Sequence, residues 1–529
     1  MQLMKRRKFL YNAIPAVLAP TIVNGFAVHS ATPSPMLDAL MNMATETDHV
    51  LVIIQLNGGN DGLNMVIPKG SYSAYNAARS NIAIPENKIL TLAGNATTGL
   101  HPAMTGLQSL YNEGKLAIVQ SVGYPNPNFS HFRATDIWMS ASDSNEVINT
   151  GWAGRYLNEE YPNFPTGYPN STMTDPLAIQ IGSVTSLALQ GPAFSMGMSI
   201  TNPTSFYNLI NGIQDPAPVT QAGKELTYIR TVAQQTQQYA TVIKAAANNV
   251  TQQITYPSNN SLADQLKIVA RLIKGGLKTR VYMVNLGGFD THSQQVVSTD
   301  TTTGVHANLM RTISDAVKAF MDDCKSMGID KRVLGLTFSE FGRRIKSNSS
   351  IGTDHGAAAP MFVFGGKVKS GVLGVNPVIP SSVSVNDNIP MQYDFRSVYA
   401  SVLQDWFCAS PTTLQSVLLK NFQTLPLVQA GACSTSIDDL NRNAGETLII
   451  NYPNPFTENT TISFTTKGGH TLVQVIDSLG RLVSNLVDQH YAPGKYTITF
   501  NGFGLPAGVY YMRLQNGSLQ QVKSMLKVR

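Results

Sequence analysis

Five apolar runs, each opening into a polar or glycine-rich turn, constrain this chain more than any other feature. VLVIIQL (Val50 to Leu56) runs into NGGNDG, and VYMVNL (Val281 to Leu286) runs into GGFDTH. KLAIVQSVG leads to YPNPNFSHFRATDIW, KRVLGLTF leads to SEFGRR, and MFVFGGKVKSG covers residues 361–371. Apolar runs without alternation predict strands buried on both faces. Helical patterns lie between several of them, such as ANLMRTISDAVKAFMDDCKSM before the fourth. Strands alternating with helices predict a mostly parallel sheet with helices on both faces. Such sheets place their ligands at the C-terminal ends of the strands.

At 529 residues the chain is too long for one ordinary domain. A hydrophobic content of 43% allows a large core, and no apolar run past the N-terminus is long enough to span a bilayer. Charged residues make up only 13% and the net charge of +6 forms no basic stripe, which argues against nucleic-acid binding. The leader, residues 1–31, pairs Arg6 and Arg7 before Phe9 and Leu10 and ends in small residues. It reads as a twin-arginine export signal, with an ordinary secretory leader as the alternative. The α/β domain is expected over 48–430. Residues 201–278, rich in Gln, Asn, Thr and Ala, are expected to be a helical insertion that either caps the sheet or forms a plain packing layer. A polar linker over 431–446 precedes residues 447–529, where the short alternating runs TTISF, TLVQVID, KYTITF and GVYYMRL predict a small β-sandwich. None of the three cysteines forms a CxxC pair; Cys408 and Cys433 are the candidates for one bridge, with three free thiols as the alternative.

Acids and histidines recur in the strand-end loops. They are Asp61 in GGNDG, Ser130 and His131 in NFSHFR, Asp290 and His292 in GGFDTH, Glu340 in SEFGRR, and Asp354 with His355 in GTDHG. Each alone suits a turn or a surface pair. Parallel strands of one sheet would bring them to one edge, where carboxylates packed together need a cation. Carboxylate plus imidazole suits zinc, manganese or iron. Two metals could clamp a tetrahedral anion. Ser130 is then the candidate nucleophile, His131 a further catalytic candidate or instead a ligand, and Arg133 and Arg343 the candidate anion holders.

LNGGNDGLN, NFSHFRATDIWMSA, GWAGRYL, GGFDTH, SEFGRR and GTDHGAAAPMFVFGG together resemble the exported proteins called domain of unknown function 1501. The resemblance spans about residues 48–430 and implies an alkaline-phosphatase-like α/β fold with divalent metal ions, one or two, at strand ends. It implies that Asp61 is the first metal-binding Asp and that Ser130 lies near the nucleophile. Asp290, His292 and His355 would share one metal, and Glu340 would serve the second. Phe341 stands where that pattern has a His, so Asp354 or His131 would have to substitute. SHFR lacks the proline of a formylglycine motif, which argues against a formylglycine sulfatase. NYPNPF, VIDSLGRLV and LPAGVYYMRL resemble the C-terminal sorting domain of the type IX secretion system. That implies passage through the periplasm to the cell surface or the medium, with outer-membrane attachment as one outcome. It also gives Asp477 and Arg481 a role in export.

Two functional readings result. One is an exported, metal-dependent hydrolase of phosphate or sulfate esters acting on a small anionic substrate. The other is an exported surface or binding protein that keeps the fold without turnover. His101 and His306 are expected to be packed or capping residues, and Trp138 and Trp152 core or cap aromatics.

Overall fold

A computed structural model describes residues 48–203, 239–430, 432 and, with short gaps, 449–528, and two short strands, Thr21–Val23 and Phe26–Val28, that pair antiparallel. The rest of the expected leader, Cys433, nearly all of the linker and the middle of the 201–278 insertion lie outside the described residues. The chain divides into two units, residues 47–433 and residues 434–529 with 1–46.

The first unit is built on a nine-stranded sheet. Its strands are β1 (Val50–Leu56), β2 (Leu116–Gly123), β3 (Ala178–Ile181), β4 (Gly197–Ile200), β5 (Val281–Leu286) and β6 (Val333–Phe338). After a separate hairpin of β7 (Gly342–Ser347) and β8 (Thr353–Gly356) come β9 (Ala359–Gly365), β10 (Gly371–Leu373) and β11 (Tyr393–Asp394). The order is β10-β2-β9-β6-β1-β5-β3-β4, with β11 beside β2. β6, β1, β5, β3 and β4 pair in parallel. β9 is antiparallel to both β6 and β2, so β2 points the same way as β1. The run MFVFGG therefore enters the sheet at the edge where the other four leave it. The cause is the connection: after β6 the chain turns back through a hairpin and has no crossover helix, which a parallel pairing requires.

Why β1 is apolar at every position but Gln55 is clear from its two faces. Val50, Val52, Ile54 and Leu56 join one core with Leu266 and Val269 of α2 (Ser261–Lys274) and Met310, Val317 and Phe320 of α3 (Val305–Ser326). Leu51 and Ile53 join the opposite core, with Trp138 of α1 (His131–Ser140), Trp152 and Trp406. Trp138 stacks on Phe395 with centroids 4.3 Å apart, and Trp152 on Tyr399 at 4.3 Å, so both are core aromatics. Residues 239–248 are helical, and Ile243, Ala246 and Ala247 pack in the same core as α2 and Tyr282. Cys408 is disulfide-bonded, whereas Cys324 is free and buried in α3.

His101 and His306 are both buried, with ring centroids 6.0 Å apart. Nε2 of His306 lies 3.1 Å from Oδ1 of Asn60, and Nδ1 of His101 accepts from the Ala103 amide at 3.1 Å. Burial is the leading cause that pulls His101 down to about 3 and His306 down to about 4, despite the nearby Asp61 carboxylate. In the unfolded chain each titrates near 6.5. Below that pH the unfolded state binds protons that the folded state refuses, so stability is present above about pH 6.5 and is lost as pH falls toward 4. The loss is roughly 1.4 kcal/mol per pH unit per histidine. Thermal melting followed from pH 7 to pH 4.5 is expected to fall steeply, and His306→Gln to flatten that slope.

The second unit is a sandwich of two antiparallel sheets, one of three strands and one of four. Ile462, Phe464, Val473, Phe500, Met512 and Leu514 fill its core. Arg481 donates to Asp477 at 2.7 Å. Among the described residues, no helix of the chain is long and apolar enough to cross a membrane.

Candidate metal centre

Loops after β1, β2, β5 and β6, and the hairpin leading into β9, meet at one edge of the sheet. The first and third are knitted by backbone bonds, Asn57 N to Leu286 O at 2.9 Å and Phe289 N to Asn57 O at 3.1 Å. Gly58 has φ +124°, and a Cβ there would sit 2.3 Å from the Asp290 amide nitrogen. Only glycine lets these two loops lie so close.

Asp290 is the hub. Its Oδ1 accepts from Arg343 at 2.8 Å and lies 3.2 Å from Nε2 of both His355 and His292. Its Oδ2 lies 3.5 Å from Nε2 of His131. Burial alone would raise the Asp290 pKa, but the hydrogen bond and the positive charge of Arg343 work against it, and the carboxyl lies below its usual range. Ligand atoms of His131, Asp290 and His355 all lie within 4.8 Å of one another.

Each imidazole is held from behind through Nδ1. His131 Nδ1 lies 2.8 Å from Glu340 Oε1, His355 Nδ1 lies 2.8 Å from the carbonyl of Phe129, and His292 Nδ1 lies 3.2 Å from Asp354 Oδ1. All three partners are acceptors, so Nδ1 carries the proton and Nε2 presents its lone pair to the Asp290 side. Nε2 of His292 and Nε2 of His355 are only 2.9 Å apart. Two lone pairs at that distance repel unless a cation or proton lies between them, so the donor set fits a metal ion. Burial also pulls His355 below its usual pKa, which favours the neutral ligand form.

Several sequence expectations change place. Glu340, expected as a ligand, is buried behind His131 and also accepts from the Gly58 amide at 2.8 Å. Asp354 likewise stands behind His292. His131, left open between catalyst and ligand, faces the centre. Asp61 is not among the converging groups: both its oxygens accept from Arg79 at 2.8 Å, and Gln295 donates to Oδ2 at 2.6 Å. Burial would raise its pKa, but Arg79 overrides that and keeps it ionised. Arg343, expected to hold an anion, is fully buried. It donates to the carbonyls of Gly58, Gly59, Phe289 and Thr353 besides Asp290. Arg133 donates to the carbonyls of Asp143, Ser144 and Glu146. Both guanidiniums therefore fasten loops. Ser130 is exposed at the N-terminus of α1, and its hydroxyl makes no capping bond.

Phe341, in the position where the resemblance has a His, packs its buried ring against His131 (5.0 Å) and His355 (4.4 Å) as an apolar floor. Sequence reasoning missed this role, and it missed Arg79 and Gln295 as well. No local pattern marks them, because their partners are distant in the chain. A carboxylate behind a metal-facing imidazole fixes its orientation and basicity. Glu340→Gln is expected to lower metal affinity by about 10- to 100-fold with little change in fold, measured by competition with a chromogenic chelator.

These features define an α/β protein with an imidazole-rich centre at its strand ends, joined in sequence to a small β-sandwich. Residues 48–407 match the family described as "Protein of unknown function (DUF1501)", and the chain belongs to it. Residues 451–528 match the "Secretion system C-terminal sorting domain", which marks the chain for export to the cell surface or beyond and for contact with that secretion machinery. No curated protein matches the chain. Among solved structures, PorZ of Porphyromonas gingivalis, a surface component of the type IX secretion system, is similar at 21% identity. That match covers 20% of this chain and only 14% of PorZ, with a TM-score of 0.13. The PsFucS1 sulfatase of Pseudoalteromonas sp. matches at 11% identity over 88% of this chain and 85% of its own, with a TM-score of 0.32. A protein of the alkaline phosphatase superfamily from Vibrio parahaemolyticus matches at 10% identity over 94% and 88%, also with a TM-score of 0.32.

Proposed function

We propose that this protein is an exported, metal-dependent hydrolase of phosphate or sulfate esters, with one divalent cation held by Nε2 of His131, His292 and His355 and by the Asp290 carboxylate. The observation that carries the reading is the 2.9 Å approach of two imidazole nitrogens whose other nitrogens are both engaged with acceptors. Imidazole with one carboxylate suits zinc, manganese or iron. When bound, the ion supplies Lewis acidity and positive charge for an ester oxyanion. The rest is work for the chain. Glu340, Asp354 and the Phe129 carbonyl keep each proton on Nδ1. Arg343 fixes the Asp290 carboxylate and the loops around it. Ser130, exposed at the start of a ten-residue helix beside His131, presents its hydroxyl as the nucleophile. Phe341 keeps water from the floor of the site.

One observation favours the second reading, an anion-binding surface protein without turnover. Arg133 and Arg343 are engaged with backbone carbonyls, so the cation alone would hold the charge. Assay of metal-free and metal-loaded protein on chromogenic phosphate monoesters, diesters and sulfates separates the two. Turnover that appears on loading and disappears in Ser130→Ala supports the hydrolase. Metal uptake with no turnover on any ester supports the binding protein.

A further inference from the structure

His292 and His355 sit on separate segments, yet their Nε2 atoms approach to 2.9 Å. Something must hold those segments together against the repulsion of two lone pairs. One tie is backbone: the Thr353 amide donates to the Thr291 carbonyl at 3.1 Å. Beside it, a Cβ on Gly352 would meet the His292 carbonyl oxygen at 2.3 Å. The other tie is a single side-chain oxygen. Oε1 of Gln295 accepts from the hydroxyl of Thr291 at 3.1 Å and from that of Thr353 at 2.9 Å. Thr291 lies between Asp290 and His292, and Thr353 lies two residues before His355. Gln295, Thr291 and Thr353 are all buried, so bulk water does not compete for these bonds.

The far end of the same side chain is fixed as firmly. Its Nε2 donates to Oδ2 of Asp61 at 2.6 Å, and Asp61 is paired with Arg79. The Gln295 backbone amide donates to the Ile351 carbonyl at 2.8 Å, in the turn between β7 and β8. A carboxamide meets both demands: it donates to a buried carboxylate at one end and accepts two hydroxyls at the other. Any of these bonds left unmade strands a buried polar group. Resting on the metal-centre reading above, we propose that Gln295 is a positioning residue: its Oε1 clamps the Thr291 and Thr353 hydroxyls and so sets the spacing of His292 and His355 for the ion. It acts through the two threonines rather than by contact with the ion.

The test titrates full-length protein with zinc against a chromogenic chelator and, separately, with cobalt(II), whose visible spectrum reports ligand number and geometry. Gln295→Met removes the clamp at similar length. Thr353→Val removes one hydroxyl at nearly constant shape, and Thr353→Ser keeps it. Gln295→Met and Thr353→Val are each expected to lower zinc affinity about tenfold, the lower end for a group standing behind a ligand, and to alter the cobalt spectrum. Thr353→Ser is expected to preserve both. Gln295→Met combined with Thr353→Val should cost less than the product of the single losses, because both break one clamp. Melting curves in chelator check the fold of each variant; should Gln295→Met not fold, Thr353→Val against Thr353→Ser decides. Unchanged zinc affinity and cobalt spectrum in Thr353→Val, or an equal loss in Thr353→Ser, would overturn the inference. Wild-type protein that takes up neither metal sinks the metal-centre reading and this inference with it. Wild-type uptake that the variants leave untouched sinks this inference alone.

Discussion

His355→Ala is expected to strip the centre. His355 Nε2 lies within 3.2 Å of both Asp290 Oδ1 and His292 Nε2, and its Nδ1 is anchored on the Phe129 carbonyl. Removing the ring deletes one ligand and frees the loop at Phe129, which leads through Ser130 into His131 at the start of α1. Losing a partner behind a ligand already costs about 10- to 100-fold in metal affinity, so losing the ligand should cost more than about 100-fold. Turnover should fall with it. Stability without metal should barely change, because His355 is partly exposed and at the rim. Equilibrium dialysis against zinc or manganese, paired with melting curves in chelator, reads both halves. Unaltered metal affinity would remove His355 from the ligand set.

The second large effect concerns Asp61 and Arg79, a fully buried pair joined by two 2.8 Å bonds and backed by Gln295. Arg79 also donates to the carbonyls of Arg344 and Ile345, at 2.8 and 2.9 Å, and so fastens β7 to the loop after β1. Arg79→Met leaves the Asp61 charge buried without a counter-ion, which is expected to cost about 3–5 kcal/mol. The double variant Asp61→Leu with Arg79→Met removes both charges and should regain much of that loss. Asp61→Asn should lower stability while leaving metal content intact. Urea midpoints give the energies, and metal analysis of Asp61→Asn decides whether Asp61 is structural or a ligand. Loss of metal in that variant at full stability would restore Asp61 to the ligand set.

What the sequence made legible is what depends on neighbours in the chain. Apolar runs without alternation, such as VLVIIQL, announce strands covered on both faces, and the alternating runs after residue 447 announce the sandwich. Asp290, His292 and His355 were readable because their strands deliver them to one edge. Their division of labour was not. Glu340 and Asp290 are both carboxylates in strand-end loops, yet one turns behind His131 and the other faces the Nε2 atoms of the imidazoles. That choice is made by the Gly58 amide and by Arg343, which reach them from distant segments. Arg343 reads as an anion holder in SEFGRR, and only the fold reveals the four carbonyls around it. The direction of β9 was hidden for a related reason: an apolar run has the same signature whichever way it enters a sheet.

Metal analysis combined with X-ray absorption at the bound metal's edge, on protein purified without chelators, tests the central claim most directly. One equivalent of a transition metal per chain is expected, with a first shell of about three imidazole nitrogens plus carboxylate oxygen. Protein that holds no metal after incubation with zinc, manganese or iron, or holds it without imidazole scattering, would contradict the account.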